Sequence, residues 1–131
     1  MREILFRSKR TDNGEWIEGY VYRISEKLNP FIMLKNRHSE SYQVFIETVG
    51  QYTGMNDING NKIYEGDIVA HYTEGGGIGY YSKVVFNQEK GAFEFVCIEH
   101  PVIETFDGLA NSDIGVVGNI HENPELLGGE K

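Results

Sequence analysis

The sequence predicts a mainly β protein, an antiparallel barrel or sandwich of short strands with a brief helical turn at its C-terminal end. Three observations carry that expectation. Apolar residues alternate with period two in segment after segment, and a helical period is hard to find. Turn signals recur roughly every 8–12 residues, the spacing of small all-β folds. Glycine supplies 16 of 131 residues against three prolines, well above a usual share of about 7%.

Taken in order, Glu3 to Ser8 reads as a first strand. Thr11-Asp12-Asn13-Gly14 turns the chain, because Asn-Gly readily supplies the positive φ angles of a tight hairpin. Glu15 to Ser25 runs back, with Trp16, Tyr20, Tyr22 and Ile24 at even positions. Asn29-Pro30 interrupts the chain before the short apolar strand Phe31 to Leu34. Residues 36–41 are polar and loop-like, and Tyr42 to Val49 is a further strand or a short helix.

The character changes after Gly50, so the chain reads as an N-terminal β subdomain, 1–50, and a C-terminal one, 51–131, or as one compact domain in which the two share a core. A second hairpin signal lies at Asp57-Ile58-Asn59-Gly60-Asn61, followed by Lys62-Ile63-Tyr64, a turn at Glu65-Gly66-Asp67 and alternation from Ile68 to Thr73. Gly75-Gly76-Gly77 and Gly79 form a flexible loop before the long strand Tyr80 to Asn87. Lys90-Gly91 turns into Ala92 to Ile98, Val102 to Phe106 is a short strand, and Asp107-Gly108 turns again before Ile114 to Ile120. At the end, Asn123 caps, Pro124 occupies the first helical position and Glu125 suits the positive helix terminus. Leu126 and Leu127 then press one turn against the sheets, and 128–131 is a frayed tail.

Composition limits the function classes. Hydrophobic residues make up 40% and aromatics 12%, enough for a packed interior. A chain of this size buries about two-thirds of its unfolded surface and needs no staple. The single cysteine, Cys97, lies in the apolar run 93–98, where a small buried hydrophobe is expected. No apolar stretch reaches the roughly 18 residues of a membrane span, and the N-terminal apolar block is too short for a signal peptide. A cytoplasmic protein without membrane contact is expected.

The charge is unevenly placed. Residues 1–50 hold eight Lys/Arg and seven Asp/Glu, a net of +1; residues 51–131 hold four and thirteen, a net of −9. Between Gly91 and Glu130 there are eight carboxylates and no Lys or Arg. Such a surface repels a phosphate backbone, so nucleic acid is not the expected partner. It keeps the chain soluble, or it complements a basic edge formed by Arg2, Arg7, Lys9 and Arg10, within one chain or between copies.

The sequence holds no recognisable catalytic, metal or cofactor site. His38, His71, His100 and His121 form no HxH or HxxxH pair, and no carboxylates join them at ligand spacing. His71 alternates with Val69 and Thr73, as a surface or half-buried strand residue does. The glycine run 75–79 lacks the following helix and the Lys-Ser/Thr pair of a phosphate loop. Asp57, Glu65 and Asp67 could pair as acid and base, but turn chemistry accounts for Asp57 and Asp67. No Ser–His–Asp order can be assigned. Trp16, Tyr20, Tyr22, Tyr72, Tyr80 and Tyr81 make a candidate interaction surface, with core packing or self-interface as the plainer role.

Three blocks carry a family resemblance. They are Met1 to Arg7, Gln51 to Val69 (QYTGMNDINGNKIYEGDIV) and Val117 to Leu127 (VGNIHENPELL). In this order they resemble the YopX family, small proteins of phages and prophage regions. The resemblance implies a mainly β protein with an SH3-like barrel in the C-terminal part, a phage-related origin and self-association. It implies no activity and no cofactor. Met55 and Asn56 stand where leucine and lysine are usual, and His121 replaces the usual tyrosine. The physics of the central block is that of a folding signature, with Gly54, Gly60 and Gly66 at turns, Asp67 beside the last of them, and Ile63, Tyr64 and Ile68 filling the interior.

The expected function is therefore that of a phage-derived, non-enzymatic module that forms homo-oligomers and binds a host or phage protein. The alternatives are an SH3-like nucleic-acid binder using the basic edge, an acidic DNA mimic acting on a host protein, and an enzyme in which His71 or His121 meets carboxylates in a cleft.

Overall fold

The computed structural model describes residues 4–23, 31–34, 41–98, 103–105 and 114–127. The expected break at Asn29-Pro30, most of the polar loop 36–41, the turn at Asp107-Gly108 and the tail 128–131 lie outside them. Eleven strands are present among the described residues: β1 (Phe6–Lys9), β2 (Trp16–Arg23), β3 (Phe31–Leu34), β4 (Ser41–Gln43), β5 (Gly50–Asn56), β6 (Lys62–Tyr64), β7 (Asp67–Tyr72), β8 (Ile78–Asn87), β9 (Ala92–Cys97), β10 (Ile103–Thr105) and β11 (Ile114–Asn119). Two antiparallel sheets result, with orders β4-β3-β2-β1-β5-β6 and β10-β9-β8-β7-β11. The chain divides into compact units Met1–Tyr52 and Thr53–Lys131, and the division falls inside β5.

In the first unit, β1 and β2 form the expected hairpin, from Lys9 opposite Trp16 to Phe6 opposite Gly19. Gly14 donates to the Arg10 carbonyl at 3.0 Å, and Asn13 Oδ1 accepts from the Glu15 amide at 2.9 Å. The other edge of β1 is also occupied. The Phe45 amide donates to the Lys9 carbonyl at 2.9 Å, and the Tyr52 amide to the Leu5 carbonyl at 2.8 Å.

The expectation of one element over Tyr42 to Val49 is corrected. β4 stops at Gln43, Val44 bridges to Arg10, and a 3-10 turn spans Ile46–Thr48. The cause is a buried hydroxyl pair. Ser8 Oγ and Thr48 Oγ1 share a 2.6 Å hydrogen bond, Thr48 Oγ1 donates to the Phe45 carbonyl at 2.7 Å and accepts from the Lys9 amide at 3.0 Å. Side-chain bonds of this kind compete with a continuing ladder.

In the second unit β7 is central and lies between β8 and β11. Residues Asp67 to His71 are all buried, which corrects the expected half-buried alternation from Ile68 to Thr73: this central strand is covered on both faces. Register sets the core face: Val69, Val84, Phe95 and Ile114 join Ile63 in one cluster, with Met55 and Val116 against it. Each fully buried aliphatic or aromatic side chain contributes about 1.5–3 kcal/mol, so this cluster holds the unit together. The described pairings leave the order open, since none joins β10 to β11.

Candidate functional site

The polar side chains of the central and C-terminal blocks are used by the fold itself. Asp57 closes the β5–β6 hairpin: Oδ1 accepts from the Asn59 amide at 2.9 Å and the Asn61 amide at 2.8 Å. Oδ2 accepts from the Val116 amide of β11 at 2.8 Å. Burial by itself would raise this carboxyl, but the Val116, Asn61 and Asn59 N–H bonds outweigh it and hold the group below the ordinary value. Turn chemistry thus accounts for Asp57, and its reach extends 59 residues along the chain.

The central and C-terminal blocks meet around Gly66. Its φ of +93° is a conformation that favours glycine. Its amide donates to the Val84 carbonyl at 2.8 Å, and its carbonyl accepts from Ile120 at 2.9 Å. Asp67 Oδ2 accepts from the Tyr64 amide at 2.8 Å. Beyond β11, Asn119 Oδ1 takes the His121 amide at 3.0 Å and the Glu122 amide at 2.9 Å. Asn123 Oδ1 takes the Asn119 amide at 3.1 Å in return. Asn123 stands just before the 3-10 turn Pro124–Leu127, as expected of a cap, and its carbonyl accepts from the Leu126 amide at 2.9 Å, while its side chain serves Asn119.

His71 is buried, 6% exposed, which corrects the expectation of a surface or half-buried residue. It stacks on Tyr80 at 4.1 Å between centroids and meets Phe95 edge-on. Its Nε2 and Ser82 Oγ share a 2.9 Å hydrogen bond. A serine within reach of a histidine is the pairing of an activated nucleophile. Ser82, however, is 0% exposed, so the pair satisfies two polar groups in the core. Cys97, the buried residue opposite Ser82 in the ladder, fills space as expected.

Ser82 and Glu94 escaped sequence reasoning. The signal for Ser82 was its place between Tyr80 and Val84 on an apolar face. Glu94 is buried on the opposite face, where Lys90 Nζ approaches Oε2 at 3.3 Å and Asn87 Nδ2 donates to Oε1 at 3.3 Å. Those three residues clamp the β8–β9 hairpin.

In the first unit the basic edge is partly compensated. Arg10 grips Asp12 through two bonds of 2.9 and 2.6 Å. The contact holds Asp12 below, and Arg10 above, its ordinary value. Arg10 also lies 3.9 Å from the Tyr42 ring centroid. Arg7 stands opposite Glu18 in the ladder. Arg7 and Lys9 lie over the Trp16 ring at 4.8 and 5.6 Å, a cation–aromatic stack. Arg2 lies outside the described residues.

The six predicted interface aromatics are distributed over both units. Trp16 is half-buried beneath its cations, and Tyr20 is exposed. Tyr22 is on β2, with a side chain outside the described residues. In the second unit Tyr80 shares the face of His71, while Tyr72 and Tyr81 occupy the other; Tyr72 lies over Gly115. The structure therefore brings together Tyr80 with His71 and separates it from Tyr72 and Tyr81. His121 contributes its amide to Asn119, and His38 and His100 lie outside the described residues. Among the described residues no group of three His, Cys, Asp or Glu could hold a metal ion, and no helix is long and apolar enough to cross a membrane.

The fold and these contacts define an all-β protein of two antiparallel sheets whose motif residues are turn and junction elements. The chain belongs to the YopX family, whose description, YopX protein, matches residues 5–128. Among solved structures it is similar to protein EF1440 from Enterococcus faecalis, at 24% identity and a TM-score of 0.60, over 97% of this chain and 99% of that one. That is a likeness of fold. No curated protein matches the sequence.

Proposed function

We propose that this protein is a non-enzymatic, self-associating interaction module of phage origin, with an SH3-like arrangement in its second unit, acting in the cytoplasm on a host or phage protein. One observation carries the reading. The buried polar groups of the described residues serve turns, strand junctions and a core hydrogen bond, while large apolar side chains remain at the surface of both units. Ile4, Tyr20, Phe45 and Ile46 are exposed in the first, and Ile58, Ile78, Phe86 and Val117 in the second. Apolar surface of this kind is what association covers. Light scattering after size exclusion tests the reading across concentration and salt. Association that persists in high salt supports an apolar interface; a monomer under all conditions refutes it.

The cation–aromatic stack of Arg7, Lys9 and Trp16 favours a second reading, single-stranded nucleic-acid binding. It ranks lower because Asp12 and Glu18 lie beside these cations and the second unit is strongly acidic. A low-salt fluorescence titration on the single tryptophan decides it, and unchanged Trp16 emission with DNA and RNA ends it.

A further inference from the structure

Among the described residues β11 ends the second sheet, with β7 on one side and no strand on the other. Its sequence, Ile114-Gly115-Val116-Val117-Gly118-Asn119, has no charge and no proline. Such a strand is an open template for another chain unless something covers it. What covers it is the tip of the β5–β6 hairpin, through two bonds only among the described residues. The Ile58 amide donates to the Ile114 carbonyl at 3.0 Å, and the Val116 amide donates to Asp57 Oδ2 at 2.8 Å.

The Asp57 carboxylate thus stands where the carbonyl of a neighbouring strand would stand. Its other oxygen holds the Asn59 and Asn61 amides, so one side chain shapes the tip and attaches it to β11. Beside this junction Ile58 is 54% and Val117 37% exposed, apolar surface continuous with the guarded edge.

We propose that Asp57 guards the outer edge of β11, and that this edge is a latent strand-addition site whose occupant is a second copy of the chain. A second copy fits because the edge is self-complementary: the Val116 amide and the Ile114 carbonyl both face outward, so two β11 strands laid antiparallel about Gly115 would each donate Val116 N–H to the other's Ile114 carbonyl. The exposed Val117 side chain would be covered in that pairing. The inference goes beyond the proposed function and does not depend on how the closed chain associates.

Residue-resolved hydrogen exchange and light scattering on Asp57→Asn and Asp57→Ala test it, each against the wild-type assembly. The Val116, Asn59 and Asn61 amides should exchange about 10- to 100-fold faster in dilute Asp57→Ala, the loss expected for bonds to a charged acceptor. Exchange at Val69, Val84 and Phe95 should stay slow, which separates an opened edge from an unfolded unit. On concentration, the variant should gain mass over wild type and recover protection at Val116. Adding Val116→Pro removes the outward amide and should abolish the extra mass. Should Asp57→Ala unfold, the milder Asp57→Asn carries the same test. Unchanged Val116 exchange in both variants, or extra mass that survives Val116→Pro, overturns the proposal. So does mass gain only in the presence of another protein's extended peptide.

Discussion

Replacing Gly118 by alanine probes the junction that joins β11 to the C-terminal turn. An added Cβ would lie 2.5 Å from Asn123 Oδ1, 2.7 Å from its Cγ and 3.1 Å from its Cβ. Real Cβ atoms do not approach so closely, so Asn123 must move. Moving it removes the 3.1 Å bond to the Asn119 amide, worth about 0.5–1.5 kcal/mol. Residual overpacking adds about 1–3 kcal/mol if the turn cannot relax fully. Gly118→Ala should therefore cost about 1.5–4.5 kcal/mol, read as a lower urea midpoint with an unchanged slope. The double-mutant cycle is the sharper assay. Asn123→Ala alone should cost about 1 kcal/mol, and the double variant little more than that, because only the 3.1 Å approach to the residue 123 Cβ is left. Additive costs would refute the reasoning, as they would show that Gly118 matters through its backbone rather than through Asn123.

Other expectations follow from the same contacts. Phe95→Ala should cost about 3–5 kcal/mol by opening a cavity at the centre of the core cluster, seen in calorimetry of the full chain. Ser82→Ala should cost about 1–3 kcal/mol in urea unfolding, since it removes a buried partner of His71. Asp57 gives a pH signature with a definite sign. Its folded value lies below the ordinary carboxyl value, so its stabilisation is fully present above the unfolded value, about 3.9, and is lost as pH falls through the lower folded value. Denaturant curves from neutral pH to acid should therefore fall less steeply for Asp57→Asn than for wild type; parallel curves would show that the carboxylate is not the titrating lock. The Arg10–Asp12 pair is exposed, and Asp12→Ala should leave the thermal midpoint nearly unchanged.

Much of this architecture was legible because local signals and tertiary pairing agree. The two Asn-Gly turns became hairpins, and Gly60 and Gly66 have positive φ at turns; Gly54 also has positive φ but lies inside β5, which corrects its expected place at a turn. Ile63, Tyr64 and Ile68 are buried as their spacing implied. Elements failed where a distant partner decided them. Nothing near Thr48 announces that its hydroxyl meets Ser8, 40 residues away, and that contact replaces a strand with a 3-10 turn. His71 reads as a strand residue of either face, because alternation cannot tell that β7 is buried on both. Asn123 stands at the cap position that its composition implied, but its side-chain bond to the Asn119 amide was not legible. The polar residues of the candidate site were visible one by one, but their assignment to junctions needed the register of β11 against β7 and the hairpin.

The central claim is that the motif residues form one cooperative lock in the second unit and not an open, reactive site. Native-state hydrogen exchange on the wild-type chain measures it directly. The amides of Asn61, Gly66, Val116 and Ile120 should exchange at the slow rate of Val69 and Val84, through opening of the whole unit. Exchange of those four through an independent local opening, orders of magnitude faster than the core, would contradict the account.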